Sequence, residues 1–163
     1  KFGGALSFDG TDDYASLSST NILGSKWTVG AWVYPANNNV RKLFFSQGYA
    51  YFELNAIGKF YGYVPTNGTT LNMLSNSTYI ANQWYYVSYT FDGALGSLYI
   101  NGRLDKTAVA SGTANTGTTR IGQYGANGYF WNGLIDNLNV YNYARSAGEV
   151  LVDYNNGLAA HLR

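Results

Sequence analysis

Between residues 5 and 142 the chain repeats one pattern: short runs in which apolar and polar or aromatic side chains alternate, broken by Gly, Asn and Asp. Successive side chains on a strand point to opposite faces, so a period of two describes half-buried β-strands and no helix. "ALSF" (5–8), "YASL" (14–17), "WTVGAWVY" (27–34), "KLFFSQ" (42–47), "YAYFELN" (49–55) and "KFYGYV" (59–64) open the series. "TTLNML" (69–74), "QWYYVSYTFD" (83–92), "SLYI" (97–100), "LDKTAVA" (104–110), "TTRIG" (118–122) and "WNGLIDNLNVYN" (131–142) complete it. About twelve short strands at such regular spacing argue for an antiparallel sandwich or jelly roll. Asn101-Gly102 is the strongest hairpin signal, because a two-residue turn needs positive φ at both positions. One stretch reads as a helix. Ser146 and Glu149 form a Ser-x-x-Glu capping box, and "AGEVLVDYNN" is expected to end before Gly157.

The chain has 163 residues and 46% hydrophobic content, enough for one domain with a single core. No linker or repeat divides it, so residues 1–163 read as one domain. Trp27, Trp32, Trp84, Phe8, Phe45 and Phe91 are expected in the core, and Trp131 is expected to pack as well. The net charge is +1 and the basic residues are scattered, which argues against nucleic acid as a partner. No apolar run approaches the roughly 20 residues of a membrane span, so membrane insertion is not expected. Cysteine is absent, and the one histidine, His161, lies near the end of the sequence. That removes thiol chemistry and argues against a Ser-His-Asp relay.

Several segments, in order, resemble the laminin-G-like, concanavalin A-type jelly-roll domains: "GALSFDGTDDYASL", "WTVGAWVYP", "QWYYVSYTFDGALGSLYINGRL" and "WNGLIDNLNVYNYARSAGEV". The resemblance covers residues 4–157. It implies an all-β, antiparallel two-sheet β-sandwich with one sheet concave and one short C-terminal helix. It also implies that the first and last strands lie side by side, with "LSFDG" near "GLIDNL". Many such domains bind carbohydrate, and many hold a calcium ion at a sheet margin.

Asp9, Asp12 and Asp13 stand within five residues, a third of the nine acidic residues in the chain. One explanation is a hairpin turn at Asp9-Gly10, which needs only Asp9. The other is a structural Ca2+ site, since calcium takes six to eight oxygen ligands. The resemblance implies Asp9 and Asp136 of "GLID" as carboxylate ligands, supported by carbonyls of the Gly10–Asp12 turn and of the Asn132-Gly133 region. Asp12 is a further candidate. The family commonly has Glu after "GLID" and a basic residue two positions later; here these are Asn137 and Asn139.

Sixteen tyrosines are the other unusual feature. Alternation puts Tyr49 and Tyr51 on one face of their strand and Tyr61 and Tyr63 on one face of the next. Tyr124 and Tyr129 flank a Gly-rich loop and extend this surface. Sugars offer C–H faces to aromatic rings and hydroxyls to amides. Gln47, Asn55, Asn67 and Asn72 are candidate amides, and Glu53, on the Tyr face, can bond a sugar hydroxyl or pair with Arg41 or Lys59. Glycoside hydrolysis needs two placed carboxylates. Glu53 and Glu149 are the only glutamates, and the Glu-x-Asp-x-x-Glu strand of laminarinase-type enzymes is missing. The expectation is a non-catalytic, lectin-like module, secreted or at the cell surface. Its partners would be a glycan or polysaccharide and further domains of a larger parent protein. The alternative is a structural or adhesion domain with no sugar ligand.

Overall fold

The computed structural model describes residues 4–17, 22–37, 42–125 and 128–161. In chain order its elements are β1 (Leu6–Asp9), β2 (Ala15–Leu17), β3 (Trp27–Pro35), β4 (Lys42–Gln47), β5 (Ala50–Leu54), β6 (Phe60–Val64) and β7 (Leu71–Leu74). They continue with β8 (Tyr85–Phe91), β9 (Leu95–Ile100), β10 (Arg103–Val109), β11 (Thr119–Ile121), β12 (Gln123–Tyr124), β13 (Tyr129–Phe130), β14 (Asn132–Tyr141) and α1 (Ala147–His161). Two six-stranded sheets form the sandwich, in the orders β1-β14-β3-β8-β9-β10 and β2-β11-β4-β5-β6-β7. All pairs are antiparallel, and β12 and β13 form a separate small hairpin.

The first and last strands are neighbours as expected: Leu6 faces Ile135, and Asp9 faces Asn132. Asn101 and Gly102 turn β9 into β10 with φ of +51° and +74°, the positive values a two-residue hairpin demands. Asp9-Gly10 does not close a hairpin. β1 lies in one sheet, and β2 pairs with β11 in the other. The acidic loop is therefore a crossover between sheets.

The inner faces meet in an aromatic core. Trp27 packs edge-on to Phe52 with ring centroids 5.6 Å apart, and Phe52 lies 4.5 Å from Tyr89. Trp131 is fully buried edge-on to Phe44, as expected of a packing residue. Such ring pairs add about 0.5–1.5 kcal/mol each beyond the area they bury.

A second apolar layer lies outside the first sheet. Along β3, Trp27, Val29, Ala31 and Val33 join the central core, while Trp32 belongs to a separate cluster with Tyr86, Tyr99 and Val150. Trp84, Tyr154 and Leu158 pack against that cluster. Trp32 and Trp84 thus lie outside the central core, beneath α1, and Trp84 is only partly buried. The helix begins at the predicted capping box. Glu149 Oε2 accepts from the Ser146 N–H at 2.8 Å, and Ser146 Oγ accepts from the Glu149 N–H at 3.3 Å. The Ser146 N–H bond, with its hydroxyl, holds the Glu149 carboxyl below its ordinary pKa. Instead of ending before Gly157, α1 runs through it to His161. A glycine there costs about 1 kcal/mol of helix propensity, and the helix tolerates it because the Trp32 indole occupies the space a side chain would fill.

Candidate binding groove and carboxylate cluster

On β5 and β6 the cross-strand register sets Tyr51 opposite Tyr63 and Glu53 opposite Tyr61. Residues directly opposite share a face, and the alternating Phe52, Leu54, Phe60 and Val64 turn inward to the core. The β12–β13 hairpin adds Tyr124 and Tyr129, whose rings lie 6.4 Å apart. Ser46 of β4 donates its hydroxyl to the Gln123 carbonyl at 2.6 Å, which anchors that hairpin. Tyr49, Tyr51, Tyr63, Pro65, Tyr124 and Tyr129 together line a groove of about 670 Å³. That volume is in the range of about 300–1,000 Å³ found for small-molecule sites.

Five of the predicted tyrosines therefore converge, and Pro65 is an addition the alternation pattern gave no reason to pick. Tyr61 packs on Tyr51 at 5.9 Å and donates its hydroxyl to Asn72 Oδ1 at 2.6 Å, but it does not line the groove. Glu53 shares the Tyr face yet is only 2% exposed and is already engaged within the protein. A carboxylate that buried presents almost no surface to a ligand in the groove. Lys59 is not its partner: its ammonium donates to the carbonyls of Ser75 and Asn76, both at 3.0 Å. Arg41 lies outside the described residues.

Three of the four candidate amides serve the backbone. Gln47 is fully buried and accepts from the N–H groups of Ile22 and Leu23, both at 2.8 Å. Asn55 accepts from Ile57 and Lys59, and Asn67 accepts from Thr113. Asn72 alone stands beside the tyrosines.

The acidic loop gathers a different set from the one expected. Asp9, Asp12 and Asp13 are exposed and bring one carboxylate oxygen each within 4.8 Å of one another. The loop is tied by its own bonds. Thr11 N–H donates to Asp9 Oδ1 at 2.7 Å, and Asp9 N–H donates to Asp13 Oδ2 at 3.0 Å. Asn132 clamps it from β14, donating Nδ2 to the Asp9 carbonyl at 2.9 Å.

Asp136 does not join this cluster. It lies four residues along β14 from Asn132, the partner of Asp9, and four strand residues span about 13 Å. Its carboxylate belongs to the C-terminal helix instead: Oδ2 sits 2.9 Å from His161 Nε2, and Oδ1 accepts from the Asn137 N–H at 2.7 Å. The His161 ring stacks on Trp32 with centroids 4.4 Å apart and meets Trp84 edge-on at 4.6 Å, while Nδ1 bonds the Gly157 carbonyl at 2.7 Å. The lone histidine is thus a buried fastener for α1. Beside it β14 carries a bulge between Asp136 and Asn139, with Asn137 at φ +48°. Asn is one of the few side chains that visit that region readily, so the departure from the family's Glu has a local use.

A family model described as the concanavalin A-like lectin/glucanases superfamily matches residues 9–151. No curated protein sequence matches the chain. Domain 4 of an extracellular arabinanase from Geobacillus stearothermophilus, solved in complex with arabinotriose, has a TM-score of 0.73. It is 19% identical over 94% of this chain and 78% of its own. A putative carbohydrate binding protein from Bacteroides ovatus has a TM-score of 0.73 and 17% identity over 90% of this chain and 45% of its own. A two-domain piece of the mouse laminin alpha1 chain has a TM-score of 0.68 and 14% identity, over 83% of this chain and 40% of its own. Identities this low establish a shared fold.

Proposed function

The chain belongs to the concanavalin A-like lectin/glucanases superfamily, and we propose that it is a non-catalytic, single-domain carbohydrate-binding module whose glycan seats in the tyrosine groove. The observation that carries this is the convergence of five tyrosines and a proline on one open groove of about 670 Å³. Phenol rings combine an apolar face with a hydroxyl that donates and accepts, which matches the two-sided chemistry of a sugar. The groove lining contains no carboxylate, whereas glycoside hydrolysis needs a pair. Binding without cleavage fits that lining. The arabinanase domain solved with arabinotriose and the Bacteroides ovatus protein support the same reading. No described helix is long and apolar enough to cross a membrane, and a secreted or cell-surface module attached to other domains fits a polysaccharide ligand.

The test is a glycan array followed by titration calorimetry on the best binder. A module of this kind is expected to bind in the millimolar to micromolar range, roughly −4 to −8 kcal/mol. Absence of binding to every neutral and acidic glycan on the array would overturn the proposal in favour of a spacer or adhesion domain.

The proposal includes a structural Ca2+ at the crossover loop, held by Asp9, Asp12 and Asp13 and not by Asp136. Three carboxylate oxygens within 4.8 Å of one another are the hard, anionic donors that calcium prefers, and their exposure leaves room for the waters that complete its shell. A bound calcium ion would neutralise the cluster and hold β1 and β2 in fixed relation. A ligand that binds only the folded state at 100 times its Kd adds about 2.7 kcal/mol of stability. For a chain of this size that is a rise in Tm of roughly 5–10 °C. The expected result is a calcium-dependent rise against chelated protein that vanishes in Asp13→Asn and persists in Asp136→Asn. No rise in the wild type would return the three carboxylates to a solvated loop.

A further inference from the structure

The rings of the groove are not equivalent, and the difference names one of them. Tyr51 is enclosed: Tyr63 stacks on it at 5.3 Å and 25°, while Tyr61 and Tyr124 meet it at 5.9 and 5.2 Å in T-shaped contacts. A ring whose face is covered by a neighbour and whose edges meet two more has little apolar face left for a ligand. Tyr49 is the opposite case. It lines the groove, is 70% exposed, and no ring among the described residues packs on it.

That exposed ring stands on a turn which is firmly held. The Gly48 N–H donates to the Thr118 carbonyl at 3.1 Å. Gly48 and Gly117 approach so closely that a Cβ on Gly117 would come within 2.4 Å of Gly48 Cα. Gln47, immediately before, is buried with its amide bonded to Ile22, Leu23 and Asn115. The backbone beneath Tyr49 needs no ordering on binding, which lowers the cost of using its ring as an anchor.

We infer that Tyr49 is the stacking residue of the groove, taking the C–H face of one pyranose ring of an oligosaccharide, while the Tyr51–Tyr63 row supplies hydroxyls to the sugar's hydroxyl groups. This rests on the carbohydrate-binding reading above and sharpens it. A sugar laid flat on a ring cannot carry an axial hydroxyl on the stacked face, because that group would hold the two apart. The substrate class is therefore a chain of pyranoses that presents one face clear of axial hydroxyls.

The experiment is calorimetry of the whole chain with cello-, xylo-, laminari- and arabino-hexaose. Tyr49→Ala is expected to weaken the tightest complex roughly tenfold or more, as truncation of an interface anchor does. Tyr49→Phe and Tyr49→Trp are expected to keep it, because stacking needs the ring and not the hydroxyl. All three variants are expected to melt with the wild type, since the side chain is exposed. Wild-type binding that survives Tyr49→Ala within twofold, or that is lost in Tyr49→Phe, overturns the inference and leaves the groove as a carbohydrate site. A preferred ligand of the furanose arabino type overturns the assigned sugar class. No binding of any hexaose by the wild type overturns the inference together with the reading it rests on.

Discussion

Gly133→Ala is expected to destabilise this protein by roughly 3 kcal/mol or more, by the sum of a backbone clash and a strained backbone angle. Gly133 sits in β14 between β1 and β3, paired with Phe8 on one side and Pro35 on the other. Its φ is +136°, outside the region L-residues favour, and a Cβ there would meet the Tyr34 carbonyl oxygen at 1.9 Å and the Ala36 nitrogen at 2.9 Å. Both obstacles are backbone, so no rotamer change relieves them; β14 itself would have to move from β3. The neighbouring Asn132, which clamps the Asp9 carbonyl, would move with it. At about 2–4 °C per kcal/mol for a chain of this length, the melting temperature should fall by roughly 6–12 °C. A calcium-dependent rise in stability should shrink in the same variant. A Tm within a degree of wild type would mean that the sheet accommodates the methyl and that the close approach has no energetic weight.

Gly157→Ala is the second large effect, and its sign runs against helix propensity. Position 157 lies inside α1, where alanine is favoured over glycine by about 1 kcal/mol. The added Cβ would, however, stand 2.0 Å from Trp32 Nε1 and 2.8 Å from Cδ1 and Cε2 of the same ring. Trp32 has no room to yield. It is fully buried, stacked on His161 at 4.4 Å and on Tyr154 at 5.4 Å, with Tyr86 at 5.7 Å. Overpacking a site so enclosed costs about 1–3 kcal/mol, and a contact as close as 2.0 Å puts this site at the upper end, where the cost exceeds the propensity gain. The expected result is a clearly lower Tm, with near-ultraviolet dichroism of the tryptophans altered and the β-sheet signal kept. An unchanged or higher Tm would show that the helix slides freely over Trp32.

Much of the candidate groove was legible in the chain because its signal is local. Strand side chains alternate by backbone geometry, so spacing alone put Tyr51, Tyr61 and Tyr63 on outward faces and Phe52, Phe60 and Val64 on inward ones. Trp27 and Trp32 stand at odd and even positions of β3, on opposite faces of its sheet. Hydrophobicity alone assigned both to one core, and the two faces turn out to be buried against different partners. The acidic cluster was half legible. Asp9, Asp12 and Asp13 are close because they are close in sequence. The family position of Asp136 grouped it with them, and the register across β1 and β14 keeps it away.

What the sequence by itself determined lies within reach of a few residues: the longer strands though not the two-residue β12 and β13, the Asn101-Gly102 hairpin, the start of α1 at Ser146 and the alternation of tyrosines. These follow from φ/ψ sterics and from hydrogen bonds that close over short loops. The tertiary structure alone decided that the loop after Asp9 crosses between sheets and that α1 continues through Gly157 over Trp32. It decided too that Asp136 meets His161, 25 residues away, and that one tyrosine on a pinned turn keeps its face open. Each depends on which distant surfaces bury one another. Burial is non-directional and roughly proportional to area, so a local pattern can say that a face must be covered without saying what covers it.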